Sequence, residues 1–423
     1  MAEQRLAVFM NRERVGTLWR ADGGALCFAY DARYREAAGA LPLSRSLPLS
    51  PDPFEEGPAR LFFANLLPEG RQRQFLARRL GLSENNDFDL LAAIGGECAG
   101  AVSLLLEGQA PSETGEYRPV DKAELRHEIE SLPRRPMLAG EEGVRLSLAG
   151  AQGKLPIWYR QGAFRIPTGG PSTHILKPPA AEEDGLLYGS VANEFLVMRL
   201  AERMGLPTAR VFVEDVNGPV LLVERYDRTT DPEGGLARLH QEDFCQALGI
   251  APDRKYEAEG GPGLADCFGL VRQVVRPPLP AFRSLVDWTL FNFLVGNADA
   301  HAKNLSLLYS TDGPHLAPFY DLLCTAVYPD LTPQLAMGIG GERRPEWIMA
   351  RHWQRFAQAC GLGWPWVRQR LLQMAEELPV NAEAIVGQVA GEVGEQPILE
   401  QIIRVITERC GQVQREWQRG NLG

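Results

Sequence analysis

Four polar side chains crowd a short stretch in the last third of the chain. The stretch GNADAHAKNLSLLY, residues 296–309, contains Asp299, His301, Lys303 and Asn304. A carboxylate, an imidazole, an amine and an amide at this density could bind a metal ion, hydrolyse a phosphodiester or transfer a phosphoryl group. The same residues could instead form a polar turn between a helix and a strand, with Asp299 capping it.

Phosphoryl transfer is the chemistry that the spacing of these residues favours. The reaction needs a carboxylate to accept the proton of the attacking hydroxyl, and oxygen ligands for magnesium. Asp299 and Asn304 have the D-x-x-x-x-N spacing that protein kinases use for the catalytic base and the first metal ligand. The stretch HLAPFYDLL then provides Asp321 as a second metal carboxylate. The spacing alone is weak, because it occurs by chance in many proteins and Asp321 could equally form a turn.

A turn rich in small residues lies upstream and is a candidate phosphate loop. In SLAGAQGKLPIWYR it joins two expected strands, VRLSL and LPIWYR, and leaves room for backbone amides to approach phosphate oxygens. It is not a Walker A loop, which would need glycine at Leu148 and serine or threonine at Leu155. An ordinary β-hairpin is the alternative. The candidate residues are Ala149, Gly150, Ala151, Gln152, Gly153 and Lys154.

A lysine inside an apolar strand is the next candidate. Lys177 in THILKPP lies among apolar neighbours, where an unpaired ammonium is costly. Glu194, near the start of the following helix, is the best partner, and such a pair positions the α- and β-phosphates in protein kinases. The alternative is a lysine that snorkels at a strand edge. The stretch LLVERYD, residues 221–227, marks the change from strands to helices, where an adenine-binding hinge would lie.

Composition limits the classes of function. The 423 residues suffice for two or three domains, and the formal net charge of −10 argues against a broad electrostatic grip on nucleic acid. No stretch approaches the roughly 20 continuous apolar residues of a membrane span. The N-terminal residues, MAEQRLAVFMNRERVG, do not have the pattern of a signal peptide. The seven scattered cysteines indicate neither a disulfide framework nor a zinc site. We expect a soluble protein of the reducing cytoplasm, with no membrane partner.

Local signals fix several elements. A run of helical apolar spacing ends at Gly81, and a short helix is expected around 121–131. Ser190 can cap a helix that Gly205 ends, and Asn217-Gly218 is a strong hairpin signal. Strands with one helix, followed by a mostly helical region, indicate an α+β fold with two lobes.

Twelve stretches occur together in the order seen in one family. They are LPLSRSLPL, FFANLLPEG, DFDLLAAIGGECAGAV, SLAGAQGK, THILKPP, NEF, VERYD, HQEDFCQALG, KYEAEGGPG, GNADAHAKN, LAPFYDL and LAMGIGG. The chain thereby resembles the HipA-type serine/threonine kinases, the toxin halves of bacterial toxin–antitoxin pairs, over nearly its whole length. The resemblance implies a two-lobed protein-kinase-like α+β fold with a strand-rich N-lobe, a helical C-lobe and a small N-terminal α/β subdomain. The expected divisions are 1–106 for the subdomain, 107–140 for a linker, 141–226 for the N-lobe and 227–423 for the C-lobe.

The resemblance implies roles for the candidate residues. Asp299 would be the catalytic base, and Asn304 and Asp321 would hold Mg²⁺. Ser147 matches the position at which the family phosphorylates and inactivates itself. Gly153 departs from the family, which often has the acidic residue of GAQEK there. The residues implied to bind ATP are Ala149 through Lys154, Lys177, Glu224, Arg225, Tyr226, His301 and Lys303.

The resemblance also implies partners. Family members bind a small helix-turn-helix antitoxin (HipB-like), and operator DNA through it, and they phosphorylate translation components such as aminoacyl-tRNA synthetases on serine. We therefore expect an ATP- and Mg²⁺-dependent protein serine kinase that acts as such a toxin. The rivals are a kinase-like co-repressor with vestigial activity, a metal-dependent phosphohydrolase, and a kinase of lipid or small-molecule hydroxyls.

Overall fold

The computed structural model describes residues 4–112, 115–141, 143–150, 152–180, 187–230, 235–310 and 312–420. A four-stranded sheet with helices comes first, followed by a lobe built on a six-stranded sheet and a lobe built mainly of helices. This is the α+β architecture that the sequence predicts.

The N-terminal part packs short helices against an antiparallel sheet with the strand order β3-β2-β1-β4. Its elements are β1 (Arg5–Met10), β2 (Glu13–Arg20), β3 (Leu26–Tyr30), α1 (Ala32–Arg35), α2 (Glu56–Phe63), α3 (Gly70–Leu80), α4 (Asp87–Ile94) and β4 (Val102–Leu106). Leu6, Val8 and Phe28 of the sheet share one apolar core with Phe62 and Leu91 of the helices. This part therefore has a hydrophobic core of its own.

The helical run that ends at Gly81 is interrupted between α2 and α3. Leu67 is extended, with a ψ of 154°, because the ring of Pro68 disfavours helical backbone in the residue before it. Glu69 is also extended, and the helix restarts at Gly70. The interruption matters because it brings Asn65, Leu66 and Glu69 to the wall of the central cleft.

The strand-rich lobe is an antiparallel sheet with the order β5-β7-β6-β8-β10-β9. Its elements are β5 (Tyr117–Val120), α5 (Lys122–Ser131), β6 (Leu155–Arg160), β7 (Ala163–Pro167), β8 (His174–Lys177), α6 (Ser190–Arg203), β9 (Val211–Asp215) and β10 (Pro219–Glu224). The expected strand VRLSL is wrong. That segment makes an isolated bridge instead, from Leu146 to Glu97 of the N-terminal part, and Gly150 just after it bridges to Pro68.

Three local predictions in this lobe, one hairpin turn and the two ends of a helix, have different outcomes. Asn217 and Gly218 both have positive φ, 60° and 126°, as a type I′ hairpin turn requires. Ser190 is not the cap of α6: Gly189 occupies that position, and the Ser190 hydroxyl accepts a hydrogen bond from the Ala180 N–H at 3.0 Å. Gly205 has a φ of 83° directly after the helix, as the sequence indicates.

The second lobe surrounds one buried helix. Its elements are β11 (Arg228–Thr230), β12 (Leu236–Arg238), β13 (Gln241–Asp243), α7 (Phe244–Leu248), α8 (Leu264–Val274), α9 (Pro278–Val295), β14 (Ser306–Ser310), β15 (Gly313–Leu316), α10 (Ala350–Ala359), α11 (Trp364–Val393) and α12 (Pro397–Gly420). Helix α9 is buried along most of its length and ends at Gly296, whose φ is 80°. A Cβ at Gly296 would lie 2.8 Å from Val405 Cγ1 and 2.9 Å from Ala326 Cβ. Glycine is thus required where the chain leaves α9 for the polar stretch.

All seven cysteines are buried, and none of them forms a disulfide bond. Among the described residues, no helix combines the length and the apolar character that crossing a membrane requires.

Candidate active site

A cleft of about 690 Å³ lies between the two lobes. Residues from the N-terminal part, including Asn65 and Glu69, complete its wall. The sequence-predicted residues that line it are Ala149, Gly150, Gln152, Lys154, Lys177, Glu194, Glu224, Arg225, Tyr226, Asp299, His301, Lys303, Asn304 and Asp321. Stretches that are far apart in sequence therefore meet in one cavity.

Lys177 lies at the centre of the phosphate side of the cleft. Its Nζ is 2.7 Å from Glu194 Oε1 and 2.7 Å from Asp321 Oδ1. Lys177 and Glu194 are both buried. Burial alone would lower the pKa of Lys177, but the two carboxylates outweigh it and raise that pKa, so the ammonium stays charged. A buried cation paired in this way can meet phosphate oxygens without further reorganisation.

Asp321 is held in an unusual backbone conformation. Its φ is +59°, in the left-handed region that non-glycine residues rarely occupy. Burial favours its neutral form, but Lys177 and Lys154 outweigh burial and hold the pKa of Asp321 well below its usual range. Asp321 Oδ2 also accepts a hydrogen bond from Asn304 Nδ2 at 3.0 Å. The carboxylate is therefore ionised and fixed beside Asn304.

The donor set at this point suits magnesium better than a metal held by protein alone. Among the described residues, no group of three His, Cys, Asp or Glu side chains comes close enough to hold a metal ion. One carboxylate and one amide, Asp321 and Asn304, match a cation that takes its other oxygens from nucleotide and water. Asn304 Oδ1 accepts the His301 N–H at 3.0 Å and keeps a second lone pair.

The loop after α9 carries Asp299 to the wall of the cleft. The loop backbone is fixed at two points: the Ala298 N–H donates to Thr325 Oγ1 at 2.7 Å, and the Asp299 N–H donates to Asn297 Oδ1 at 3.1 Å. The Asp299 side chain is exposed and accepts one hydrogen bond, from the Tyr256 hydroxyl at 2.9 Å. A carboxylate open to the cleft can accept a proton from an incoming hydroxyl.

The candidate phosphate loop is held by the N-terminal part. Gly150 forms a parallel bridge with Pro68, and the Glu69 N–H donates to Gly150 O at 3.1 Å. Gly150 has a φ of 109°, which only glycine adopts readily. Lys154 Nζ donates back to Ala149 O at 2.5 Å and closes the loop. Ala151 lies outside the described residues, so the middle of the loop is not described.

Ser147 is fully buried at the base of this loop. Its Oγ donates to Leu66 O at 2.7 Å, and its N–H donates to Glu97 O at 2.8 Å. The hydroxyl therefore faces the N-terminal part and not the cleft. Any reaction of Ser147 first requires the segment to leave this position.

The expected adenine site needs one correction. The Arg225 guanidinium does not face the cleft, because it is buried against Asp227, Glu97 and the Ser172 hydroxyl. An isolated buried guanidinium is unfavourable, so these ion pairs fix its position. Tyr226 fits the expectation better: it lines the cleft and stacks on Tyr320, with 5.8 Å between ring centroids. Glu224 also lines the cleft beside it.

Lys303 needs a second correction. Its Nζ is 2.5 Å from Asn65 Oδ1, 3.0 Å from Asp243 Oδ2 and 3.5 Å from Glu69 Oε1. The ammonium thus joins the catalytic loop to the N-terminal part, and its donors are already used. His301 is buried nearby, and burial lowers its pKa, so the imidazole is neutral.

The residues of the cleft wall that sequence reasoning missed include Asn65, Glu69, Lys255 and Tyr256. They lie in FFANLLPEG and KYEAEGGPG, which carry the family resemblance, but no motif of known chemistry assigned them a role. Lys255 Nζ is 2.9 Å from Glu69 Oε2, so the two stretches meet in the cleft.

Comparisons with known proteins agree with this geometry. A family model described as the HipA-like C-terminal domain matches residues 146–389, and one described as the HipA N-terminal domain matches residues 6–105. The putative kinase Y4mE of Sinorhizobium fredii is 45% identical over 392 residues, covering 91% of this chain and 92% of the relative. The serine/threonine-protein kinase toxin HipA of Shewanella oneidensis is 35% identical over 352 residues, covering 80% and 79%.

A solved structure gives the same result for the fold. The HipA chain in a Shewanella oneidensis complex of HipA, HipB and operator DNA has a TM-score of 0.82 and 30% identity to this chain. The match covers 96% of this chain and 97% of that one. The chain belongs to the HipA family of serine/threonine protein kinases.

Proposed function

We propose that the chain transfers the γ-phosphoryl group of ATP, bound with Mg²⁺, to a serine hydroxyl of a protein. The observation that supports this most is the meeting of Asp299, Asn304 and Asp321 around one cleft with the ion-paired Lys177. Asp321 pairs with the Lys177 ammonium and accepts a hydrogen bond from Asn304, whereas the other carboxylate, Asp299, is exposed. Phosphoryl transfer needs this division between charge neutralisation and proton acceptance.

Each residue has a defined part in the proposed reaction. Lys177 binds phosphate oxygens, and Asn304 and Asp321 hold the magnesium ion. The magnesium ion supplies neutralisation of charge on the phosphate oxygens. The acceptor oxygen bonds to the γ-phosphorus as the bond to the β,γ-bridging oxygen breaks, and ADP leaves. The proton of the acceptor hydroxyl moves to Asp299.

We propose further that the kinase is the toxin of a toxin–antitoxin pair. The relative in Shewanella oneidensis is named a toxin, and its solved structure contains HipB and operator DNA. The partner of this chain would be a small helix-turn-helix antitoxin, with DNA contacted through it. The net charge of −10 fits a protein that reaches DNA through a partner. The substrate would be a translation component such as an aminoacyl-tRNA synthetase.

Self-inactivation at Ser147 is part of the proposal. A phosphate there would add close to two negative charges at a fully buried position. It would displace the hydrogen bond to Leu66 O and with it the base of the phosphate loop. The modified segment would therefore have to leave the cleft wall.

The test is incubation of the protein with γ-labelled ATP and Mg²⁺, with and without a bacterial lysate. Label on Ser147 or on a lysate protein, absent from the Asp299→Asn variant, is the expected result. Persistent ATP binding without any labelled protein would favour the vestigial co-repressor. Label found only in lipid or small molecules would favour a kinase of those hydroxyls.

A further inference from the structure

We infer that Tyr256 is a positioning residue for the proposed base Asp299. The inference rests on the proposed function and adds a residue to it. Asp299 is exposed, and its carboxylate has Tyr256 as its single hydrogen-bond partner among the residues that the structure describes. The phenol donates to Oδ1 at 2.9 Å, which leaves Oδ2 free for the acceptor hydroxyl.

Tyr256 is itself held from both sides. Its neighbour Lys255 forms an ion pair with Glu69 of the N-terminal part at 2.9 Å. Its other neighbour, Glu257, donates its backbone N–H to Ala336 O at 3.2 Å and accepts the Gly338 N–H on its carboxylate. The phenol is therefore carried by a segment anchored to both the N-terminal part and the helical lobe.

The ring of Tyr256 is oriented as well. The Tyr256 ring meets the His301 ring edge-on, with 5.4 Å between the ring centroids. The Lys255 ammonium lies 5.2 Å from the centroid of the Tyr256 ring. Burial and the Asp299 carboxylate raise the pKa of the phenol, so it stays protonated and can only donate to Asp299. The donor position is thus fixed before any acceptor arrives.

The hydrogen bond from Tyr256 fixes the orientation of the Asp299 carboxylate, the proposed base. An exposed carboxylate without this bond would rotate among its rotamers, and misplacing a catalytic group by about 1 Å can cost roughly 100-fold in rate. In the reaction, the acceptor proton passes to Oδ2 while Oδ1 keeps the phenol hydrogen bond. Because Tyr256 holds an oxygen on the acceptor side, it should not affect nucleotide binding.

The test compares Tyr256→Phe with wild type in labelled transfer to the acceptor, using Tyr188→Phe as the matched control. Tyr188 is exposed, donates to Gln401 Oε1 at 2.5 Å and is not among the residues that line the cleft. Tyr256→Phe should lower kcat about tenfold, with the KM and the Kd for ATP unchanged within about twofold. Tyr188→Phe should match wild type. In the Asp299→Asn background, Tyr256→Phe should lower the residual rate no further.

Three results would overturn the inference. The first is an unchanged or increased kcat in Tyr256→Phe. The second is a loss of ATP affinity in Tyr256→Phe as large as its loss of rate. The third is that Tyr256→Phe lowers the transfer rate by the same factor in the Asp299→Asn background as in wild type. An increased kcat would mean that the phenol competes with the acceptor. Failure of the proposed function looks different: wild type itself would transfer no label, or Asp299→Asn would transfer it normally.

Discussion

On the phosphate side of the cleft, the Lys177 ammonium lies within hydrogen-bond distance of both Glu194 and Asp321. On the acceptor side, Asp299 is exposed and accepts a hydrogen bond from Tyr256. The phosphate side meets the same charged group in every turnover, so fixed charges stabilise it without reorganisation. The acceptor side must admit a segment of another protein, so it is open. The cleft therefore combines a preorganised half with a half that is completed on binding.

The largest effect that this comparison predicts is on the acceptor side. Asp299→Asn should lower phosphoryl transfer by about 100- to 10,000-fold, because it removes the proton acceptor, while the ATP Kd stays within about twofold. The measurements are labelled transfer and nucleotide titration. Asp312→Asn, an exposed aspartate in the β14–β15 turn, is the control and should match wild type. Equal losses of rate and affinity in Asp299→Asn would contradict the division of the cleft into two halves.

A change on the phosphate side should affect binding as well as rate. In Glu194→Gln, Lys177 loses one of its two carboxylate partners and turns toward Asp321. We expect ATP affinity and transfer to fall together, by about tenfold. Glu202→Gln on the same helix, exposed and 3.4 Å from Arg199, is the matched control. A fall in rate at unchanged affinity would show that Glu194 does not position Lys177 for the nucleotide.

Substitutions at Ser147 test whether ATP binding by the candidate phosphate loop depends on the contact with the N-terminal part. Ser147→Asp places an uncompensated charge at a buried position that faces Leu66 O, so it should lower both the melting temperature and ATP affinity. Ser147→Ala removes a single hydrogen bond and should cost about 1 kcal/mol of unfolding free energy with affinity nearly kept. Thermal unfolding and nucleotide titration measure both. Undiminished affinity in Ser147→Asp would remove the proposed switch.

The smallest predicted effect is a pH dependence of the phosphate side. Burial and the nearby Lys177 ammonium lower the pKa of Lys154 to about 8. Lys154 is therefore charged below that pH and neutral above it, so ATP affinity should fall between pH 7 and pH 9. Lys154→Arg stays charged over this range and should flatten the dependence. An equally steep dependence in Lys154→Arg would assign it to another group.

The sequence predicted which residues line the cleft better than the way these residues are held. The spacing of Asp299, Asn304 and Asp321 is local, and the apolar surroundings of Lys177 demanded a carboxylate partner, so single motifs were informative. Arg225 lines the cleft as expected, but the direction of its guanidinium was not foreseen, because one of its partners, Glu97, is 128 residues away and leaves no local pattern.

The contribution of the N-terminal part to the cleft was missed for the same reason. Bonds from Asn65 and Glu69 to Lys303, Lys255 and Gly150 join segments that are distant in sequence. The predicted strand before the phosphate loop failed because those residues bridge to the N-terminal part and not to a neighbouring strand. Periodicity reports local structure and burial, and it does not identify a distant partner.

The most direct test of the account is the Mg²⁺ dependence of nucleotide binding in two aspartate variants. ATP affinity is titrated at increasing Mg²⁺ in wild type, Asp321→Asn and Asp299→Asn. If Asp321 holds the metal and Asp299 serves the acceptor, Asp321→Asn loses most of the Mg²⁺ dependence and Asp299→Asn keeps it. The same Mg²⁺ dependence in Asp321→Asn as in wild type would contradict the assignment.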